Sequence, residues 1–264
     1  MSGITARRDA EADSLDRGRD PLAQLRDVLL LGSSAPPLEL LRARLARLGY
    51  RTIPAKTPEQ AQMLLRISRG AIGAVVIPPD LPVVDLRRTV RFLSDVSPGG
   101  DLWFLAAGPT PPPDERARLR SAGVSYSLFE PLHDHVLRFQ INRALAGSGV
   151  VRGDRRSVRA PTNWEAPVWV EGRRKTAHVY SVSASGAYLA TPTPSPRGAR
   201  IELELPNLGP RGRLTSRVVT TNVPGNLASS RLPVGMGVAF VNPPLDTEAV
   251  LHMFAQQRLD SLAV

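Results

Sequence analysis

The chain has 264 residues, 42% of them hydrophobic, with no cysteine and a formal net charge of +10. At roughly 100–200 residues per domain this is enough for two cores, and the missing thiols exclude disulfides, thiolate metal sites and cysteine nucleophiles. No run of about 18 uncharged apolar residues exists to span a membrane, so the expectation is a cytoplasmic protein with no membrane insertion. Residues 1–24 mix acids and bases without an apolar stretch, which predicts a disordered tail rather than a secretory signal.

From residue 25 the chain alternates buried strands with amphipathic helices. "DVLLLGSS" is an apolar run closed by small residues, the pattern of a strand covered on both faces. "PPLELLRARLARLGY" follows with Leu38, Leu41, Leu45 and Leu48 at helical spacing. "YRTIPA" is a strand, "TPEQAQMLLRIS" a helix capped by Thr57 with Pro58 at its first position, and "AIGAVVIPP" a further buried strand. Helix "VVDLRRTVRFLSD", strand "DLWFLAAG", helix "PPPDERARLRSAG", strand "YSLFEP" and helix "LHDHVLRFQINRALAG" complete five pairs over 25–146. This alternation predicts an α/β domain with a doubly wound five-stranded parallel sheet.

This first domain resembles a response-regulator receiver over about 27–146, including "FEPL", where receivers carry a lysine followed by proline. Against the receiver pattern the acidic pair falls on Gly32 and Ser33, the phosphorylated aspartate on Pro78, the hydroxyl residue on Ala106 and the lysine on Glu130. Magnesium binding needs carboxylate oxygens and an acyl phosphate needs a carboxylate, so the resemblance implies a pseudoreceiver used for docking or dimerising, with its exposed helix faces open to a homodimer. Asp80, two residues beyond Pro78, is a displaced acceptor only in name without the acidic pair.

The glycine-rich "AGSGVVRGD" marks a linker at 147–154, and the second domain spans 155–264. "APVWVEG", "KTAHVYSVSASGAYLAT", "ARIELELP", "GRLTSRVVTTN" and "VGMGVAFV" show period-two alternation between turn residues. "TEAVLHMFAQQRL" reads as an amphipathic helix capped by Thr247. Five or six short strands and a terminal helix predict a small antiparallel β-barrel. Charge gathers here: residues 147–264 hold 14 basic against 8 acidic side chains, residues 1–146 hold 20 against 16, and only Lys56 and Lys175 are lysines. Guanidinium suits phosphate and guanine recognition, so an anionic partner fits.

"GDRRSVRAP" places Arg155, Arg156 and Arg159 beside a proline, and "SVSASG" follows some twenty residues on. Together these resemble the PilZ family of cyclic di-GMP receptors over about 152–258. That family carries RxxxR in an N-terminal loop, matched by Arg155 and Arg159, and a [D/N]xSxxG turn, matched at Ser183 and Gly186 but with Ser181 in place of Asp or Asn. The resemblance implies a cyclic di-GMP site at Arg155, Arg156, Arg159, Ser181, Ser183 and Gly186. Arginines four apart on a mobile loop can chelate phosphate oxygens or the guanine O6 and N7 edge and stack on a purine. Gly186 allows close backbone approach and Ser183 offers a hydroxyl. A serine at 181 is a poorer acceptor from guanine N1 and N2 than a carboxylate, which weakens affinity by roughly tenfold.

The resemblance implies an effector that relays dinucleotide level to a protein partner through the pseudoreceiver, in motility, pilus or surface-polysaccharide control. The alternative is a nucleotide-blind adaptor that works through protein contacts alone, for which Ser181 speaks. Sequence-specific nucleic-acid binding is not expected, since no recognition helix or aromatic cluster accompanies the charge. Nor is an enzyme: "SASG" lacks the first glycine of a nucleophile elbow, no GK[ST] phosphate loop is present, and His133, Asp134 and His135 have no third partner spaced for zinc. No cofactor or metal is expected. "EGRRK" reads as a charged hairpin turn, and Gly235 to Gly237 as strand packing.

Overall fold

The computed structural model describes residues 26–32, 36–78, 83–97, 102–146, 157–206, 208, 213–227 and 229–264. The expected tail, the linker, Ser33, Asp80, Arg155 and Arg156 lie outside these. Among the described residues no helix is long and apolar enough to cross a membrane.

The first domain is the expected five-stranded parallel sheet. Strands β1 (Asp27–Leu31), β2 (Thr52–Ala55), β3 (Ile72–Ile77), β4 (Trp103–Pro109) and β5 (Tyr126–Glu130) lie in the order β2-β1-β3-β4-β5. Helices α1 (Pro36–Arg47), α2 (Pro58–Ser68), α3 (Val83–Ser94), α4 (Pro113–Ser121) and α5 (Asp134–Ala146) connect and flank them. Strand side chains alternate between faces, and both faces are apolar. Leu29, Leu31, Val75 and Ile77 pack with residues of α2, α3 and α4, whereas Val28, Leu30, Ala74 and Val76 pack with α1 and α5. That two-sided burial is why these strands are continuous apolar runs. Thr57 caps α2 as expected, its hydroxyl accepting from the Gln60 amide at 3.2 Å with Pro58 in the first turn.

The second domain is a closed antiparallel barrel of six strands in the order β10-β11-β8-β7-β6-β9. These are β6 (Arg159–Val170), β7 (Arg173–Ser183), β8 (Gly186–Ala190), β9 (Arg200–Glu204), β10 (Arg213–Asn222) and β11 (Gly235–Phe240), followed by helix α6 (Leu245–Ser261). Closure removes the unpaired edges that an open sheet this small would expose. The β6–β7 turn carries Glu171 and Gly172 at φ of 50° and 77°, the left-handed pair of a tight hairpin predicted from "EGRRK". Two expectations are corrected. Arg159, expected in a mobile loop, is the first residue of β6, because the chain from 159 onward finds ladder partners on β7. Thr247 does not cap α6: the helix begins at Leu245 with Pro244 before it, and Thr247 is buried within the first turn. The fixed backbone angle of Pro244 starts the helix in place of a side-chain cap.

Helix α6 lies on the barrel, with Phe254 against Trp164 at a ring separation of 4.7 Å and Leu251 among the interior residues. Gly235 is required by close approach of β8. A Cβ there would stand 2.0 Å from the Leu189 carbonyl oxygen, so the packing role expected for this glycine holds. Gly235→Ala is expected to destabilise the protein by at least about 2 kcal/mol, read as a lower denaturant midpoint at an unchanged m-value.

Candidate functional site

The β7–β8 hairpin carries the "SVSASG" turn, and strand alternation decides which way each side chain faces. Val182 joins the barrel interior, so Ser181 and Ser183 point to the opposite face. There they are only 1% and 2% exposed. Arg159 pairs directly across from Ser183, and Pro161 from Ser181; Tyr188 of β8 lies opposite Ser181 on the other side. One residue before Val158, the Ser157 hydroxyl meets the Ser185 hydroxyl at 2.9 Å. The start of β6 is thereby held against the turn, and Arg159, Ser181 and Ser183 share one face of the barrel. Arg155 and Arg156 precede this contact.

The polar groups of the turn are partly committed. The Ser183 hydroxyl donates to the Gly186 carbonyl at 3.2 Å, closing the turn on itself. Gly186 faces β11: a Cβ would stand 2.3 Å from the Val238 carbonyl oxygen, so its first role is strand packing. The contacts made by Ser157 and Ser185 had no signal in the sequence beyond their small hydroxyl side chains.

At the receiver-like end the described positions expected for the acidic pair and the phosphorylated aspartate, Gly32 and Pro78, hold no acid. Gly32, at φ of 76°, faces Pro78, whose Cγ would be 3.5 Å from an added Cβ. Ala106 is fully buried, and Glu130 ends β5 with its carbonyl accepting from the Thr110 hydroxyl at 2.9 Å. Among the described residues, no three His, Asp or Glu side chains gather to hold a metal ion. Asp134 is instead bound to Arg44 and Arg47 across from α1, at 2.8 and 3.3 Å, and these arginines hold its carboxyl below the usual carboxylate range against the opposing effect of burial.

The same hairpin that bears the serine turn also meets the first domain. His178 and Tyr180 of β7 and Tyr188 of β8 form an aromatic row with His135 and Phe139 of α5: His135 lies 5.9 Å from His178 and 5.7 Å from Tyr180, and Tyr180 lies 5.8 Å from Tyr188. Asn142 accepts from the Tyr50 hydroxyl at 2.7 Å and donates to the Tyr180 hydroxyl at 3.4 Å and the Arg231 carbonyl at 3.0 Å. Arg138 donates to that same carbonyl at 3.0 Å, while the Arg231 guanidinium reaches back to the Arg26 carbonyl at 2.9 Å. Burial raises the Tyr50 and Tyr180 phenols well above the ordinary value and pushes Tyr188 up to about 12, so all three stay neutral hydrogen-bonding groups.

Residues 154–257, a span that holds the barrel and most of its terminal helix, match the model of the PilZ domain. The virulence sensor protein BvgS of Bordetella pertussis is 32% identical over 152 residues, 55% of this chain and 12% of that protein; the chain thus spans about an eighth of that relative's length. Among solved structures, chemotaxis protein CheY4 of Vibrio cholerae is 13% identical at a TM-score of 0.36, covering 46% of this chain and 98% of its own. The PilZ domain of YcgR from Escherichia coli, solved with c-di-GMP, is 17% identical at a TM-score of 0.29, covering 41% and 93%.

His135 is a titratable group at the contact between domains. Burial lowers its pKa, and His178, Arg138 and His133 act in the same direction against the opposing Asp134. The unfolded chain therefore takes up this proton first, so stability present above the ordinary imidazole pKa of about 6.5 is lost as pH falls through that value toward the lower folded one. Thermal melts from pH 7.5 to 5.5 are expected to show a falling Tm, with a shallower slope in His135→Gln.

Proposed function

We propose that this protein is a cytoplasmic cyclic di-GMP effector in which Arg155, Arg156 and Arg159 close over the dinucleotide on the barrel face that carries Ser181 and Ser183. The observation that supports it is the register of Arg159 against Ser183, reinforced by the Ser157–Ser185 contact: residues some 24 positions apart meet on one face. Arg155 stands two residues before Ser157, within about 7 Å of extended chain, so both guanidinium groups can reach a ligand at the turn. Phosphate oxygens and guanine edges offer each arginine paired acceptors. A bound dinucleotide would take the place of what now covers the two serines, shifting Arg159 and the start of β6. That strand belongs to the hairpin system packed on α5, which gives the ligand a mechanical route to the receiver-like domain and a partner docked there.

Titration calorimetry with cyclic di-GMP tests the reading. Saturable heat is expected for the full chain, with binding about 100-fold weaker in the Arg155→Ala/Arg159→Ala double variant if each lost charge-assisted contact contributes over 1 kcal/mol. No heat at 100 μM ligand, or an affinity indifferent to both substitutions, defeats it.

A nucleotide-blind adaptor is the second reading. It draws on the neutral, buried Ser181 and on the Ser183 hydroxyl already engaged by the Gly186 carbonyl. Capture of the same protein partners with and without the dinucleotide, and by the double arginine variant, would favour it.

A further inference from the structure

Strand β5 is the outer strand of the parallel sheet, and its open side is covered by a segment delivered from the barrel by α6. Ala263 bridges antiparallel to Tyr126. The Leu262 carbonyl accepts from the Ser127 amide at 3.1 Å, the Ser127 hydroxyl at 3.1 Å and the Gln140 side-chain amide at 2.8 Å. Arg116 donates to the Ala263 carbonyl at 2.8 Å and the Ser261 carbonyl at 3.4 Å, and Arg120 to the main-chain oxygen of Val264. The Arg116 guanidinium is itself steadied 5.8 Å from the Phe129 ring centre.

Every donor in this set belongs to the receiver-like domain and every acceptor is a main-chain oxygen. The contact therefore reads the backbone of a helix end, from Ser261 in the last turn of α6 through Leu262, a right-handed helical C-cap at φ of −98° and ψ of −4°, to the single bridge at Ala263, and it leaves side-chain choice to two positions. Leu262 and Val264, on alternate positions, are 7% and 1% exposed, and Val264 packs in the cluster that contains Val75, Phe104 and Leu119. Ala263 between them carries only a methyl. The geometry points to a peptide-binding socket on the receiver-like domain, formed by the β5 edge, Gln140, Arg116 and Arg120. Its ligand class is a helix C-terminus with a short tail whose apolar residues stand two apart. The chain's own Leu262–Val264 fills it in cis, and ejecting that segment opens it to the same sequence in trans. The inference is independent of dinucleotide binding.

The test uses the full chain with Val264→Asp, which places a charge in the apolar pocket, and a fluorescent peptide of residues 256–264. Anisotropy is expected to show saturable binding to V264D and at least ~10-fold weaker binding to the unsubstituted chain, whose socket is occupied. Adding Arg120→Ala to V264D is expected to weaken the peptide by about tenfold, and a peptide with Leu262→Asp and Val264→Asp is expected not to bind. Hydrogen exchange supplies the second readout: the Ser127 amide, bonded to the Leu262 carbonyl, should exchange at least ~10-fold faster in V264D and recover with peptide. A Ser127 amide that is released while the peptide fails to bind overturns the proposal, as does protection unchanged by the substitution. Should V264D unfold, Leu262→Ser/Val264→Ser takes its place; if that variant unfolds too, the segment is a permanent part of the core and the proposal falls.

Discussion

Asn142 joins the two domains through a constraint of satisfaction. Its side-chain oxygen takes the Tyr50 hydroxyl from the first domain, and its nitrogen serves Tyr180 and the Arg231 carbonyl of the second. Polar groups enclosed in this way are costly to leave unpaired, at roughly 1–3 kcal/mol each. Sliding one domain against the other while they stay in contact would leave several of these groups without partners at once, so the contact favours one relation. The raised phenol pKa values of Tyr50, Tyr180 and Tyr188 follow from the same enclosure.

One hairpin serves three purposes. The inward side chains of β7 and β8, among them Val179, Val182 and Leu189, fill the barrel; Tyr180 and Tyr188 meet one another and, through α5, the receiver-like domain; and the turn between them carries the serine and glycine positions of the PilZ pattern. Period-two alternation lets a single strand pair present different chemistry to its two sides. A rigid ladder also carries displacement from its turn to its face without a separate linker, which is the route the proposed relay would take to the neighbouring helix.

In the receiver-like domain Gly32 faces Pro78, and Asp134 is paired with Arg44 and Arg47. The domain's β5 edge and α5 face are both in contact with the barrel or the segment that follows α6, so among the described residues the α1, α2 and α3 sides and the β2 edge are the ones turned away from the barrel. The exposed Leu40 and the Met63 and Ile67 pair, one turn apart on α2, lie on those sides.

The sequence by itself determined the two domains, the strand and helix alternation of the first, the barrel character of the second and the positions of its arginine and serine-glycine elements. Each of these is written in local terms: unbroken apolar runs for strands buried on both faces, period two for barrel walls, Thr57 before Pro58 for a helix start, and Gly and Asn at turns. Tertiary structure alone decided that Arg159 is a strand residue opposite Ser183, that Thr247 is buried inside its helix, that Ser183 bonds the Gly186 carbonyl, and that Leu262–Val264 complete the edge of a sheet over 130 residues away in the chain. Those outcomes turn on which groups meet across long separations, and a contact between distant residues leaves no periodic trace in either of the segments that make it.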